Sequence, residues 1–492
     1  MLTKNKISLF GLITGFFILL SFFFTETPEG LSKAGWLTAG VAILMTVWWV
    51  TEAVPIYITG LLPLVLFPLL KLFSIKTVSA SYAHPLVLLF LGGFIIASAM
   101  ESSGLHKRIA LKILGLSGTS PSKIIAGFMI TTAMLSMWVS NTASTVMMLP
   151  IAMSVISIFS KKILIKKSEF AIPLLLAIAY SASIGGTATL IGTPTNIMLV
   201  SILNDTYNYS IDFIDWFIIG FPIVLVLLPI VWFFLNKIIF KVSSEKSSAL
   251  EKVLIDLNQK IGKASTNEKV VAIIFFLTAS LWIFRKVFNN LLDLNLNDTS
   301  ISILGAIMLF IIPTGKNKRA CNWETANKIP WGVLFLVGGG IALSNAFKAS
   351  GLANWIGSFS SYLYYLDIYA LILIAVLLII FLTELNSNTA TVATFTPILI
   401  IFAIGLEINP LFFVIPTTIA ASCAFMLPIA TPPNAVIFGS GQLDIKDMIK
   451  AGIGLNIISA LVVSILSIII LNLFFGLQIT SMPDWAITGK VN

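Results

Sequence analysis

The chain has 492 residues, of which 58% are hydrophobic and only 10% are Asp, Glu, Lys or Arg, with a formal net charge of +9. Soluble domains carry about 25% charged residues, so this composition excludes a cytosolic enzyme, a disordered protein and a fibrous protein. The apolar segments are long and continuous rather than alternating, which predicts an all-α polytopic membrane protein instead of a β-barrel. Two cysteines and two histidines argue against a disulfide framework and against zinc or haem chemistry.

Eleven apolar segments predict eleven transmembrane helices. The first, 7–24, follows Lys4 and Lys6 and has no small-residue cleavage site after it, so it is predicted to remain as a helix. The other ten segments are 35–51, 54–72, 83–101, 171–201, 213–236, 270–290, 299–313, 331–349, 411–440 and 451–475. Two further apolar stretches, 124–158 and 369–403, each carry a polar Ser-Asn-Thr in the middle and are predicted to be re-entrant hairpins.

The distribution of basic residues predicts the orientation of the chain. With the N-terminus inside and the C-terminus outside, 23 of the 30 Lys and Arg residues fall on the inner side, as the positive-inside rule requires. Counting either Ser-Asn-Thr stretch as a full span would move every later loop to the opposite side of the membrane and spoil this distribution. The positive net charge is therefore interpreted as a topology signal of a multi-pass plasma membrane protein, and no nucleic-acid partner is expected.

Three motifs recur in the same order in the two halves of the chain. Ser140–Ala143 matches Ser387–Ala390 at an offset of 247, and Gly192–Asn196 matches Ala430–Asn434 at an offset of 238. Two Gly-Gly pairs, 92–93 and 339–340, also differ by 247. The predicted topology makes the two copies antiparallel, as in transporters that bind their substrate between inverted repeats. The predicted divisions are a first half at 1–236, a cytoplasmic linker at 237–269 and a second half at 270–492.

The Ser-Asn-Thr motifs suit an anion. A hairpin would place its tip near the middle of the membrane, where unpaired backbone groups are tolerated only beside protein or a water-filled cavity. The start of the hairpin's second helix carries a partial positive charge and, together with Ser, Asn and Thr side chains, suits a carboxylate. Unwound carbonyl oxygens and hydroxyl oxygens suit Na⁺. A single such motif is typical of ordinary helix packing, but two at equivalent positions favour a binding site.

The other two motifs predict breaks in apolar helices. Pro194, Pro432 and Pro433 remove backbone donors and interrupt the helical hydrogen bonds, while Thr193 and Thr431 place hydroxyl groups there. The four motifs contain no Lys or Arg. A bound anion would therefore be balanced by helix ends and bound cations, which favours ion-coupled uptake.

These motifs, together with Thr51–Pro55, resemble those of the divalent anion:sodium symporter (DASS) family over about residues 35–475. The resemblance is strongest to bacterial sodium-coupled dicarboxylate transporters. It implies a homodimer in which a transport domain moves against a scaffold domain as an elevator. It also implies that the sodium ligands are Ser136, Ser140, Asn141 and Gly192 at one site, and Thr383, Ser387, Asn388 and Ala430 at a second. The implied substrate-binding residues are Ser140, Asn141, Thr142, Thr193, Ser387, Asn388, Thr389, Thr431 and Pro432.

Two residues remain open to interpretation. Thr195 stands where many family members have a second proline, and this difference affects either the stiffness of the first break or its selectivity. Glu384 lies three residues before Ser387. An acid inside a membrane is commonly functional, but a structural hydrogen bond to the hairpin backbone is an equal alternative.

The expected function is sodium-coupled import of C4-dicarboxylates (succinate, malate, fumarate), with Na⁺ as coupling ion and membrane lipid around the protein. One alternative is a sodium-independent dicarboxylate antiporter. Another is a transporter of citrate, sulfate or a different oxyanion. A membrane enzyme is not expected, because the buried acids are isolated. A cation:proton exchanger is disfavoured, because the four motifs contain no Asp.

Overall fold

The structure is a computed structural model that describes residues 4–162, 170–244, 262–315 and 318–487. Residues 245–261, the central part of the predicted linker, lie outside this description. So do several basic residues used in the topology prediction, namely Lys166, Lys167, Lys246, Lys252, Lys260, Lys316 and Lys490.

The described part of the first half is helical. Its helices are Lys4–Phe24, Lys33–Thr51, Ile56–Thr59, Leu62–Leu69, Ile75–Ala80, Pro85–Ser103, Leu105–Leu116, Pro121–Ser136, Asn141–Lys162, Ala171–Gly186, Pro194–Tyr207 and Phe213–Phe233. The last of these continues as a π-helical turn over Phe234–Ile239.

The described part of the second half is also mainly helical. Its helices are Thr266–Leu292, Asp298–Ile311, Trp323–Ala326, Trp331–Ala349, Leu352–Ser358, Ile368–Thr383, Asn388–Gly405, Leu411–Ala420, Pro432–Phe438, Ile445–Phe475 and Asp484–Ile487. The short strands Pro313–Gly315 and Lys318–Arg319 pair antiparallel.

Eight helices of the described residues are long and apolar enough to cross a membrane by length and composition. An all-α membrane architecture is thus confirmed, while the count of eleven spans and two re-entrant hairpins stays a prediction.

The predicted span at 54–72 is divided at Gly60, where the chain packs closely on another helix. The Tyr82 hydroxyl donates to the Gly60 carbonyl oxygen at 2.6 Å, and a Cβ on Gly60 would lie 3.0 Å from the Leu336 Cα atom.

The two Ser-Gly-Leu sequences adopt the same local structure. In each half a long helix ends at a Ser-Gly-Leu sequence and a shorter helix begins immediately after it. Gly104 and Gly351 lie at these junctions with φ of +83° and +78°, a left-handed conformation that glycine adopts without strain. Both junctions are therefore built in the same way, 247 residues apart.

The matched helix–turn–helix units are named here by their order. The first hairpin consists of Pro121–Ser136 and Asn141–Lys162, and the second of Ile368–Thr383 and Asn388–Gly405. The first broken helix consists of Ala171–Gly186 and Pro194–Tyr207, and the second of Leu411–Ala420 and Pro432–Phe438.

The broken helices lie at the centre of the molecule. Every residue of Ala171–Gly186 and of Leu411–Ala420 is buried. Ala171–Gly186 packs on both arms of the first hairpin, and Leu411–Ala420 packs on both arms of the second. The helices that lead into the two breaks are thus enclosed by protein, which gives the interrupted backbone the protein neighbours that it needs in a membrane.

A long helix supports each break from the other side. The Gly220 Cα on Phe213–Phe233 packs so close to the first break that a Cβ would lie 2.3 Å from the Thr187 carbonyl oxygen. On Ile445–Phe475, a Cβ at Gly452 would lie 2.4 Å from the Phe425 carbonyl oxygen. Glycine at these two positions lets each helix approach the unwound backbone, so the supporting contacts are also repeated.

Candidate binding site

The four predicted motifs line one cavity of about 2250 Å³. The predicted site residues on its wall are Ser140, Asn141, Thr142, Gly192, Thr193, Ser387, Asn388, Thr389, Ala430, Thr431 and Pro432. The other two predicted residues, Ser136 and Thr383, are fully buried behind the hairpin tips. Motifs that are far apart in the sequence therefore meet at a shared space.

Helix starts surround this cavity. The second arms of the hairpins begin at Asn141 and Asn388, and the second segments of the broken helices begin at Pro194 and Pro432. All four residues line the cavity. The helices that start at Asn141, Pro194 and Asn388 are 22, 14 and 18 residues long, so their unpaired N–H groups and macrodipoles favour negative charge.

Behind the first hairpin tip, three oxygen atoms form a tight group. The Ser136 Oγ atom lies 2.7 Å from Asn141 Oδ1 and 2.7 Å from the carbonyl oxygen of Ala182. A hydroxyl carries one hydrogen and donates to one acceptor at a time. The group is therefore richer in oxygen lone pairs than in hydrogens, which is an arrangement that a small hard cation prefers.

The second hairpin repeats this group. The Thr383 Oγ1 atom lies 2.6 Å from Asn388 Oδ1 and 3.1 Å from the carbonyl oxygen of Ala421. The residue type differs between the halves, serine in one and threonine in the other, but the hydroxyl, amide and carbonyl oxygens correspond. We call these the first and second oxygen groups.

The asparagines that end the break motifs brace the unwound backbone. Asn196 Nδ2 donates to the carbonyl oxygens of Gly186 and Thr189 at 3.2 and 2.7 Å. Asn434 Nδ2 donates to the corresponding carbonyls of Ala424 and Leu427 at 3.1 and 3.0 Å. Both asparagines are fully buried, so they satisfy carbonyl groups that the broken helices leave unpaired.

Glu384 also braces the second break. Its carboxylate accepts the backbone N–H groups of Met426 and Leu427 at 2.8 and 2.9 Å, and the Asn456 side chain at 2.7 Å. Glu384 is only 3% exposed. The structural alternative for Glu384 is thus supported, although the backbone it holds belongs to the broken helix rather than to the hairpin. In the first half, the position equivalent to Glu384 is Met137, which has no carboxylate.

The motifs did not reveal two of the residues that hold the second break. Asn456 accepts the Phe425 N–H at 3.2 Å, and the Tyr180 hydroxyl donates to the Phe425 carbonyl oxygen at 2.7 Å. The signal that the sequence offered for each was a polar residue within an otherwise apolar segment, where a polar group needs a hydrogen-bond partner. Neither lies within a repeated motif, so the internal repeat could not identify them.

Charged residues line the cavity away from the motifs. Glu101 and Lys107 flank the junction between Pro85–Ser103 and Leu105–Leu116, and Lys328 precedes Trp331–Ala349. His106 also lines the cavity, and its Nδ1 atom lies 2.9 Å from the Met100 carbonyl oxygen. Burial lowers the pKa of His106, so its side chain is neutral at pH 7.

Comparison with known families and sequences identifies relatives along the whole chain. A family model described as the sodium:sulfate symporter transmembrane region matches residues 6–477. A sodium-dependent dicarboxylate transporter of Staphylococcus saprophyticus is 38% identical over 488 residues, which are 97% of this chain and 94% of the relative. The protein of the same name from Staphylococcus aureus is 39% identical over 485 residues, or 96% and 92% of the two chains.

A solved structure shares the fold. The YdaH transporter of Alcanivorax borkumensis matches with a TM-score of 0.53, over 81% of this chain and 88% of that chain. At 14% sequence identity, this likeness concerns the arrangement of the helices.

Replacing Glu384 should destabilise the protein. Glu384→Ala would leave the buried Asn456 amide and the partly buried N–H groups of Met426 and Leu427 without their acceptor. The cost is about 1–3 kcal/mol for a fully buried unsatisfied group and less for a partly buried one. We expect a clearly lower thermal unfolding temperature in detergent, with Glu384→Gln, which keeps one acceptor oxygen, in between. Glu324→Ala, at an exposed position, is the control. Equal unfolding temperatures for Glu384→Ala and Glu324→Ala would contradict the bracing role.

Proposed function

Because the chain belongs to the sodium:sulfate symporter family, we propose that it is a sodium-coupled symporter that imports C4-dicarboxylates such as succinate, malate and fumarate. The family predicted from the motifs, that of the sodium/dicarboxylate transporters, is confirmed by these relatives. The observation that supports the proposal most directly is the single cavity lined by two Ser-Asn-Thr motifs and two helix breaks.

The pairing of the motifs supports a substrate with two carboxylates. Ser140–Thr142 and Ser387–Thr389 each offer hydroxyl and amide groups beside a helix start. Two equivalent sets of neutral donors match a molecule with an anionic group at each end. A compact oxyanion such as sulfate would occupy one set and leave the other without a partner.

The charge of the site supports coupling to cations. None of the residues in the four motifs is basic, so helix ends and neutral donors alone would face a dianion. Moving each net charge against a potential of 100 mV costs about 2.3 kcal/mol. Bound Na⁺ ions neutralise the negative charge of the substrate at the site. When the total charge of the bound Na⁺ ions exceeds that of the substrate, the loaded site is positive and the membrane potential drives import.

We assign the cations to the two oxygen groups. The first site consists of Ser136, Ser140, Asn141 and Gly192, with the Ala182 carbonyl oxygen of the first oxygen group beside them. The second consists of Thr383, Ser387, Asn388 and Ala430, with the Ala421 carbonyl oxygen of the second oxygen group beside them. In each group a hydroxyl, an amide and a carbonyl oxygen already lie close together. A cation there would also hold the hairpin tip against the broken helix and so prepare the adjacent Ser-Asn-Thr motif for the substrate.

The cavity supports an alternating-access cycle. Apart from the tips and breaks, its wall includes charged residues that the topology prediction places at or beyond the cytoplasmic helix ends, namely Glu52, Glu101, Lys107 and Lys328. We therefore propose that this state faces inward. Import then requires a second state, which an elevator movement of the hairpins and broken helices would provide. A homodimer in a plasma membrane, with the N-terminus inside and the C-terminus outside, completes the proposal.

Transport assays in proteoliposomes test this function. An inward Na⁺ gradient should drive uptake of labelled succinate, and unlabelled malate and fumarate should compete more strongly than citrate or sulfate. Uptake that ignores the Na⁺ gradient but requires internal dicarboxylate would identify an antiporter instead. Stronger competition by sulfate or citrate would change the substrate.

The tip asparagines should be essential for transport. Asn141→Ala and Asn388→Ala each remove an amide that lines the cavity and belongs to an oxygen group. We expect succinate uptake to fall to the background of empty liposomes, with expression unchanged. Asn290→Ala, at an exposed helix position, should transport normally. Near-normal uptake by either tip variant would exclude the motif as the site.

Thr383 should set the sodium dependence. Thr383→Ala removes the hydroxyl of the second oxygen group, and the loss of one ligand should raise the Na⁺ concentration for half-maximal uptake several-fold. The control is Thr418→Ala, because the buried Thr418 hydroxyl has no hydrogen-bond partner among the described residues. An unchanged Na⁺ dependence in Thr383→Ala would separate this residue from the cation.

A further inference from the structure

The two helix breaks touch through a pair of hydroxyl groups. Thr195 is the second residue of the helix after the first break, and Ser422 lies in the unwound segment of the second break. Thr195 Oγ1 and Ser422 Oγ are 3.3 Å apart, and both residues are fully buried. This contact joins the two halves of the protein in the centre of the molecule.

The mirrored contact is missing. Pro433 occupies the position equivalent to Thr195 and has no hydroxyl. Ser183 is the equivalent of Ser422, because each serine follows the alanine whose carbonyl belongs to an oxygen group. The buried Ser183 hydroxyl has no hydrogen-bond partner in the described part of the chain. Among the described residues, the hydroxyl contact between the breaks is therefore made by Thr195 and has no mirrored counterpart at Ser183.

On the side of the first half, Thr195 is connected to the first oxygen group. The adjacent Asn196 donates to the Gly186 carbonyl oxygen. Gly186 in turn packs against Asn141, since a Cβ on Gly186 would lie 2.3 Å from Asn141 Oδ1. Gly186 and Asn196 thus form a continuous path of contacts from Asn141 to the helix start that carries Thr195.

On the side of the second half, Ser422 is connected to the second oxygen group. It directly follows Ala421, whose carbonyl oxygen accepts from Thr383. The same unwound segment is held by Tyr180 of the first half at the Phe425 carbonyl oxygen. Side chains of the first half thus hold this segment at both Ser422 and Phe425.

We propose that Thr195 is a positioning residue that couples the two cation sites through Ser422. The proposal depends on the function proposed above. A cation in the first oxygen group fixes Asn141 and the first break, and the Thr195–Ser422 contact then holds the Ala421 carbonyl oxygen in place for the second cation. Because the contact is buried and links two otherwise separate groups, its loss should make the two cations bind more independently.

The test measures the Na⁺ dependence of succinate uptake in proteoliposomes. Thr195→Val keeps the shape of the side chain but removes the hydroxyl. We expect a Hill coefficient for Na⁺ that falls towards one and a half-saturating Na⁺ concentration about threefold higher, the scale of one net hydrogen bond. Thr195→Ser, which retains the hydroxyl, should restore both values.

Two matched variants isolate the contact. Ser422→Ala should reproduce the loss of cooperativity seen in Thr195→Val, and the double variant should be no worse than Thr195→Val, because the Thr195–Ser422 contact is common to both changes. Thr195→Val also removes the 3.4 Å contacts of Thr195 Oγ1 with Thr193 and Asn196, so Ser422→Ala isolates the contact between the breaks. Ser183→Ala removes the unpartnered equivalent hydroxyl and should behave like the unmodified protein. If Thr195→Val folds poorly, Ser422→Ala carries the test from the other side of the contact.

The possible outcomes are distinct. A wild-type Hill coefficient in Thr195→Val or Ser422→Ala, additive effects in the double variant, or an equal loss in Ser183→Ala would each overturn the coupling. Failure of the underlying function would appear earlier, as succinate uptake by the unmodified protein that does not respond to Na⁺. Loss of cooperativity in both single variants, restored by Thr195→Ser, supports the proposal.

Discussion

The structure depends on satisfying the backbone where two buried helices are interrupted. An apolar surrounding offers no water to the freed N–H and C=O groups, so other parts of the protein must bind them. Asn196 and Asn434 bind the freed carbonyls, and Glu384 binds two freed N–H groups. These hydrogen bonds stabilise the interrupted backbone. They thereby fix the positions of the carbonyl oxygens and helix starts that face the cavity.

The same constraint accounts for the neutral character of the site. A fixed Lys or Arg beside the tips would bind the anion permanently and would itself need a partner when the site is empty. Hydroxyl, amide and backbone groups avoid both problems, because they bond to one another or to a ligand. The proposed cations then supply positive charge only when they are present, which ties occupancy by the anion to occupancy by the ions.

Sequence reasoning predicted the helical architecture, the repeat and the motifs that line the cavity, because prolines and polar residues in apolar segments carry strong local signals. It did not predict which contacts hold the breaks. Tyr180 and Asn456 act on Phe425 from helices distant in sequence, and only the tertiary arrangement brings them there. For the same reason, the partner of Thr195 could not be inferred from the unusual residue alone.

The one-sided link between the halves has a consequence for assembly. Tyr180 and Thr195 precede Ser422 and Phe425 in the chain, so ribosomal synthesis delivers the supporting groups before the segment that they hold. During insertion, the N-terminal part can complete its own break without help from residues still to be made. The C-terminal break has contacts from Tyr180 and Thr195, which are made before it, and from Asn456, which is made after it. Its full set of contacts therefore forms only late in synthesis, against a first half that already exists.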